Sequence, residues 1–374
     1  MTARQQEILA VFQELRGVKA TARQLGICDK QVRTALDALG WNAEKRAEFS
    51  RDPAIQASMN AVGTGLVPAL AWAKTRNEDG TSYSVLLKPA QEAPEDAAER
   101  IRAALEGMEP AEPVSPPDTH DDDLLTVYPL ADCHVGAMAW GRETGEDYDT
   151  AIAVNRIREW VGRAVDASPA SGHAVILDVG DLTHADDQTN QTPRSRHQLD
   201  VDTRHFRTLE VTICALAYAI EYALHRHSHV TVRILPGNHN VTSFMAVTFA
   251  LAERYRNEPR VTVEKNPSEF WVHRFGDCLL AAHHGHGGKP ERMVLFLADE
   301  YAEQWGKTRH RFLFTGHLHH LKAADIGGVQ WEQLRALTAR DAYAVSNAFT
   351  ARSQLQAITL HRTRGEVVRV KVAA

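Results

Sequence analysis

The sequence predicts an α/β domain from about residue 124 onward, preceded by a small all-α domain and a linker region. From Leu124, short apolar runs alternate with long segments of helical periodicity, the pattern of strands and helices packed in layers. After Leu321 the chain reads mostly as strands, with turn signals at Gly327-Gly328 and at Thr363-Arg364-Gly365. The first 48 residues show helical spacing only.

In that first segment Ile8, Val11, Phe12 and Leu15 fall on one face of a helix over residues 3–16. A second short helix runs from about Lys19 to Leu25 and ends at Gly26. Asp29 is placed to N-cap a third helix that turns Val32, Ala35, Leu36 and Leu39 inward. Helix, glycine turn and capped helix form a helix-turn-helix plan, and residues 21–27 resemble the core of helix-turn-helix DNA-binding domains. In that reading Lys30, Gln31, Arg33 and Thr34 face outward on the recognition helix and contact DNA. A plain helical hairpin satisfies the same pattern. Residues 49–123 read as a linker region. Within it, residues 67–75 and 82–88 can pair as a hairpin, residues 95–108 read as an exposed amphipathic helix, and the prolines from 110 to 117 with Asp121, Asp122 and Asp123 mark a linker.

The bulk numbers set limits. A net charge of −6 over 374 residues gives no global attraction to nucleic acid, so a DNA-binding surface has to be a local patch. The four cysteines are scattered without a CxxC pair, which argues against a disulfide framework and a thiolate zinc site. No apolar run is long enough to span a bilayer and no signal peptide is visible at the N-terminus. The expectation is a cytoplasmic protein with no membrane association and an open oligomeric state, a homodimer included.

The chemistry lies at the ends of five apolar runs, residues 124–130, 174–179, 230–235, 278–282 and 311–314. They lead into Asp132-Cys133-His134, Gly180-Asp181, Gly237-Asn238-His239, His284-Gly285-His286 and Gly316-His317-Leu318-His319. The crevice outside the carboxyl ends of strands is where sites form in α/β sheets. Glycines before Asp181, Asn238 and His317 permit sharp turns and close backbone approach. Oxygen and imidazole donors without thiolate suit Mn²⁺, Fe or Zn²⁺ better than Ca²⁺. One such motif alone is weak, but five in order indicate a metal site.

In that order the motifs resemble the calcineurin-like metallophosphoesterase family, whose pattern is DxH, GDxxD or GDxxH, GNH[DE], H and GHxH. The resemblance covers about residues 124–370. It implies a two-sheet β-sandwich flanked by helices and a centre of two divalent ions, Mn²⁺ foremost. One ion would take Asp132, His134, Asp181 and His319, the other Asp181, Asn238, His284 and His317. Asp181 would bridge them, the ions would activate water for in-line attack on phosphorus, and His239 would be the catalytic histidine that protonates the leaving oxygen. Asn240 departs from the family's acid after GNH, which would orient the histidine, so weaker general-acid catalysis is expected.

His184, in the GDxxH form, resembles SbcD-like repair nucleases, where it contacts the scissile phosphate as a catalytic residue; a hydrogen-bonding group behind a ligand is the other reading. Arg194 and Arg196, in a polar loop from Asp186, are candidates for clamping a phosphodiester, or belong to a solvated loop. His283, His286 and His320 adjoin ligands and match none. The C-terminal capping region of the repair nucleases has no counterpart here. Helix-turn-helix followed by phosphoesterase looks like proteins encoded by tailed phages and prophages. The expected activity is a metal-dependent nuclease with DNA as partner. A phosphomonoester, phosphoprotein or cyclic-nucleotide hydrolase, or a DNA-binding regulator with a weak phosphoesterase domain, are the alternatives.

Overall fold

A computed structural model describes residues 3–15, 18–38, 71–76, 82–87 and 110–373. The chain divides into two compact units, Met1–Glu92 and Ala93–Ala374. No helix among the described residues is long and apolar enough to cross a membrane.

The first unit contains helices α1 (Ala3–Leu15), α2 (Val18–Leu25) and α3 (Asp29–Ala38). Ile8, Ala22, Val32, Ala35 and Leu36 form its small core, as the helical spacing predicts. Lys30, Gln31, Arg33 and Thr34 are exposed on α3. The cap differs from expectation. Asp29 is already the first helical residue, and the Cys28 amide donates to Gln31 Oε1 at 3.0 Å. A glutamine reaching back from the first turn satisfies a free amide as well as a capping carboxylate would, and Asp29 keeps a favourable place near the helix's positive end. Strands β1 (Ala71–Arg76) and β2 (Ser82–Leu87) pair antiparallel, Arg76 facing Ser82. Leu39, residues 77–81 between the two strands and the expected helix at 95–108 lie outside the described residues.

The second unit carries two sheets. The larger has the order β13-β12-β3-β4-β5-β6, from β3 (Asp121–Leu130), β4 (Ser171–Asp178), β5 (His229–Ile234), β6 (Val261–Val263), β12 (Leu355–His361) and β13 (Gly365–Val372). β3, β4, β5 and β6 are parallel neighbours, while β12 is antiparallel to both β3 and β13. The smaller has the order β10-β11-β9-β8-β7, from β7 (Trp271–Phe275), β8 (Cys278–Ala282), β9 (His310–Thr315), β10 (Lys322–Ile326) and β11 (Val329–Gln333). β8 and β9 are parallel, and the β10–β11 and β12–β13 hairpins turn at the predicted glycines.

Alternation along the strands explains the layers. Leu125, Val127, Val175 and Leu177 of the large sheet meet Leu280, Ala282, Phe312 and Phe314 of the small one in a shared core. Tyr128, Leu130, Ala174 and Ile176 point the other way, against α5 (Thr150–Ala167), α6 (His205–Leu224) and α7 (Ser243–Arg254), numbered after the short α4 (Gly141–Thr144). Ala281 and Leu313 face α8 (Pro290–Glu300) on the far side; α9 (Ala302–Gly306) follows it and α10 (Ala342–Ser346) comes after β11. Strands buried on both faces read as continuous apolar runs, which is why the sequence displays them so clearly. The result is the expected two-sheet sandwich flanked by helices.

Two linker expectations change. Asp121, Asp122 and Asp123 begin β3, and Asp121 pairs with Ser171 of β4; at an exposed strand end charged side chains cost nothing in burial. The prolines at 110–117 are docked rather than free. Ala111 N–H donates to the Arg254 carbonyl, Arg260 donates to the Val114 carbonyl, and Val114 N–H donates to Glu258. Proline-rich chain makes few hydrogen bonds of its own, so α7 and the residues after it supply the partners.

Candidate metal centre

The parallel strands β3, β4 and β5 bring three loops to one edge of the large sheet, and β8 and β9 bring two more from the small sheet. Asp132 and His134 follow β3, Asp181 and His184 follow β4, Asn238, His239 and Asn240 follow β5, His284 follows β8, and His317 and His319 follow β9. Asp132, Asp181 and His284 are almost completely buried.

Three groups of three donors form among the described residues. Asp132, His134 and His319 offer ligand atoms within 4.8 Å of one another, as do Asp181, His284 and His317, and as do His134, His184 and His239. Asp181 Oδ2 joins the first two, at 3.0 Å from His284 Nε2 and 3.9 Å from His134 Nε2. His134 Nε2 and His319 Nε2 are 3.2 Å apart, and His319 Nε2 is 3.3 Å from Asp132 Oδ1. Asn238 Oδ1 lies 3.1 Å from His284 Nε2 and so enters the second group. Asp132, His134, Asp181, Asn238, His284, His317 and His319 thus gather in one cleft, with Asp181 in reach of both His134 and His284.

The backbone is bent to achieve this. Among the described residues eight non-glycine positions have positive φ, and five of them are Asp132, His134, Asp181, His317 and His319. Each such conformation costs about 1–3 kcal/mol and persists only where the surroundings impose it. The loops are also closed on each other. A Cβ on Gly237 would overlap the Asp181 carboxylate, and one on Gly180, whose φ is +98°, would stand 2.6 Å from the His284 ring. Packing alone gives no reason to gather these side chains so tightly, because buried carboxylates and imidazoles are costly without a charge partner. Divalent ions bound by O and N donors fit this set.

Proton positions agree. Burial drives the His134 imidazole well below its ordinary range, His317 to about 4 and His184 to about 3, so all three are neutral near pH 7. Burial works against the charge of His284 too, but the Asp181 carboxylate beside it raises that imidazole to about 9. Asp181 itself is held well below the usual carboxylate range, its burial outweighed by His284 and the other imidazoles. A metal ion would take the place of the His284 proton.

The residues behind the ligands are as specific. His284 Nδ1 faces the Val179 carbonyl at 3.0 Å, which leaves Nε2 for a ligand role. His184 is 5% exposed, and its Nδ1 lies 3.1 Å from His134 Nδ1. His184 thus touches the His134 ring, and with His134 and His239 it forms the third donor group. His239 Nδ1 is 2.8 Å from the His184 carbonyl and its amide donates to Asp181 Oδ1. Asn240 does not orient His239. Its Oδ1 accepts from the amides of Gly237 at 2.7 Å and Asp181 at 3.2 Å, clamping two ligand loops together. The hydrogen-bond partner of His239 Nδ1 is the main-chain carbonyl of His184.

Arg194 and Arg196 are both exposed. Burial lowers the His286 imidazole, with a small contribution from the charge of Arg194. His283 sits between Glu269, 3.3 Å away, and the Gly285 amide, and His320 is exposed. Sequence reasoning missed Tyr148, buried, whose hydroxyl donates to the Cys133 carbonyl between two ligands at 2.6 Å. Only its place in a loop rich in Asp and Gly hinted at it.

No family model matches the sequence, and no curated protein matches it. Solved structures overlap at low identity. A predicted phosphoesterase from Streptococcus pneumoniae TIGR4 is 13% identical, with 67% of this chain and 98% of that one covered and a TM-score of 0.27. Vps29 of Entamoeba histolytica, complexed with zinc, is 13% identical over 66% and 98%, with a TM-score of 0.27. A dimetal phosphatase from Danio rerio is 10% identical over 67% and 98%, with a TM-score of 0.37.

Proposed function

We propose that this chain is a dinuclear-metal phosphoesterase of the calcineurin-like kind, hydrolysing phosphodiester bonds of DNA. The observation that carries the reading is the position of Asp181 between the donor groups Asp132–His134–His319 and Asp181–His284–His317. One carboxylate shared by two sets of imidazoles suits a pair of ions. Mn²⁺ leads, ahead of Fe and Zn²⁺, given mixed O and N donors without thiolate. Two such ions would supply Lewis-acid activation of the phosphoryl group and of water.

The remaining steps belong to the chain's own groups. His239 Nδ1–H donates to the His184 carbonyl, so Nε2 is the nitrogen left for substrate, and only the imidazolium, with a proton on each nitrogen, delivers one from Nε2 to the leaving oxygen. Its amide bond to Asp181 holds it in register with the ions. Asn240 locks the loops of Asp181 and Asn238 so that neither moves when charge changes at the centre. Arg194 supports the reading as a flexible cation able to hold a non-bridging phosphate oxygen. The exposed row Lys30, Gln31, Arg33 and Thr34 on α3 supports DNA as the substrate, since a helix-turn-helix raises the local concentration of duplex.

The test is incubation of the purified protein with end-labelled single- and double-stranded DNA in Mn²⁺, beside a chelator control and Asp181→Asn. Metal-dependent cleavage that disappears in the variant is the expected result. Bound metal without DNA cleavage would transfer the reading to a small phosphoester or phosphoprotein, which chromogenic mono- and diesters then distinguish.

A further inference from the structure

We propose that His134, His184 and His239 form a third ion site, which takes zinc in preference to manganese and silences the phosphoesterase when filled. The site stands on geometry, and its inhibitory effect rests on the phosphoesterase reading above. The three imidazoles offer ligand atoms within 4.8 Å of one another, and they come from the loops after β3, β4 and β5. His134 belongs to two donor groups because its ring has two usable edges. Nε2 turns to His319 Nε2 at 3.2 Å, and Nδ1 turns to His184 Nδ1 at 3.1 Å.

Two ring nitrogens at that distance cannot both present lone pairs, so a proton or a cation lies between them. Two nitrogens bound tetrahedrally to zinc at about 2.0–2.1 Å stand roughly 3.3 Å apart, so an ion fits with a shift of a few tenths of an ångström. Both rings are buried, which keeps their Nδ1 atoms turned to each other rather than to water. His239 completes the set. Its ring stacks on His184 with centroids 5.3 Å apart and stands edge-on to His134 at 4.8 Å. Its Nδ1 is occupied by the His184 carbonyl, which leaves Nε2 as the third donor. The proton between His134 and His184 passes to solvent as the ion enters, and His134, with Nε2 on the catalytic pair, becomes an imidazolate bridge.

Donor chemistry decides which ion enters. The other two groups each contain an aspartate, Asp132 in one and Asp181 in the other, whereas this one is imidazole throughout. Carboxylate and water suit Mn²⁺, and an all-imidazole set suits Zn²⁺ or Cu²⁺. Manganese therefore fills the pair and leaves the third site to its proton, while zinc fills all three. The consequence falls on His239. An ion on Nε2 occupies the position of the proton that would go to the leaving oxygen. A sugar alkoxide cannot leave readily without that proton, but a nitrophenolate can.

The experiment loads metal-free protein with Mn²⁺ or with Zn²⁺ and counts the ions retained after desalting by elemental mass spectrometry. Wild type should hold two manganese ions or three zinc ions. His184→Ala and His239→Ala should each hold two of either metal. Asp181→Asn, without the catalytic pair, should keep one zinc ion and no manganese. Raising zinc from two to three equivalents should slow wild-type cleavage of a trinucleotide by about 100-fold and hardly change that of a nitrophenyl phosphodiester. Two zinc ions in wild type overturn the site, and so does a third that survives both His184→Ala and His239→Ala. Equal effects of the third ion on the two substrates overturn the capture of His239. No trinucleotide cleavage with either metal removes the DNA reading and the inhibition with it, and no turnover of either ester removes the phosphoesterase reading as well. In both cases the ion count still decides the site.

Discussion

The two sheets contribute unlike halves to one centre. The large sheet supplies the oxygen donors Asp132, Asp181 and Asn238, its carboxylates almost wholly buried, together with His134. The small sheet supplies imidazoles alone, His284, His317 and His319, and only His284 is sealed from solvent. Negative charge sits on one side of the cleft and exchangeable protons on the other. Asp181 and His284 show the consequence, a depressed carboxylate against a raised imidazole 3.0 Å away. A sandwich whose halves were each self-sufficient would need no such pairing; here each sheet is incomplete without the other.

The sharpest way to break that comparison is Asp181→Asn. As the residue between both donor groups it should cost both ions, with phosphoester turnover down by at least about 100-fold, more than the loss of a group behind a ligand produces. His317→Ala, on the other sheet, should remove one equivalent of metal only. Metal analysis after desalting separates the two, and equal losses would mean that Asp181 is not shared. Next comes Gly237→Ala, whose added methyl has no room beside Asp181, whereas Gly288 has nothing within 4 Å of the same atom. Crowding of that kind costs about 1–3 kcal/mol. The denaturation midpoint should fall for Gly237→Ala and hardly move for Gly288→Ala.

A smaller effect follows from protons. In metal-free protein the raised imidazole of His284, about 9 against 6.5 ordinarily, contributes stability that is complete below pH 6.5 and lost as pH climbs through 9. His184 and His317, lowered to about 3 and 4, stay neutral when folded while the unfolded chain takes up protons, so stability also falls as pH drops from 6.5 towards 4. Each histidine contributes at most about 1.4 kcal/mol per pH unit. Urea midpoints in chelator should therefore peak near pH 6.5, and bound metal should flatten the alkaline side. A monotonic profile would contradict the pairing. The smallest expected change is Arg33→Ala on α3, which should weaken duplex binding at every sequence and reduce its salt dependence by about one phosphate contact without altering cleavage of a trinucleotide; gel shifts across a salt series measure it.

Much of the centre was legible because ligand chemistry and strand pattern coincide. Runs buried on both faces announced β3, β4, β5, β8 and β9, and each run ended in Asp, Asn or His. What stayed hidden were roles that depend on a distant partner. Asn240 read as a defect in a motif, yet its carbonyl oxygen binds the amides of Gly237 and Asp181. His184 read either as a phosphate contact or as a group behind a ligand; that its ring meets His134 and its carbonyl meets His239 is set by the fold. The prolines at 110–117 read as a free tether because the arginine that binds Val114 lies 146 residues further on.

By itself the sequence determined the α/β layering, the strands that lead into the cleft and the seven Asp, Asn and His residues after them, since periodicity and donor chemistry are local properties. Tertiary structure alone decided that Asp181 stands between two donor groups, that Gly237 has no room for a methyl, that the His184 carbonyl meets His239 Nδ1, and that the Tyr148 hydroxyl binds the Cys133 carbonyl. Those facts are distances between residues far apart in the chain, set by how two twisted sheets close on one another, and no local pattern encodes them.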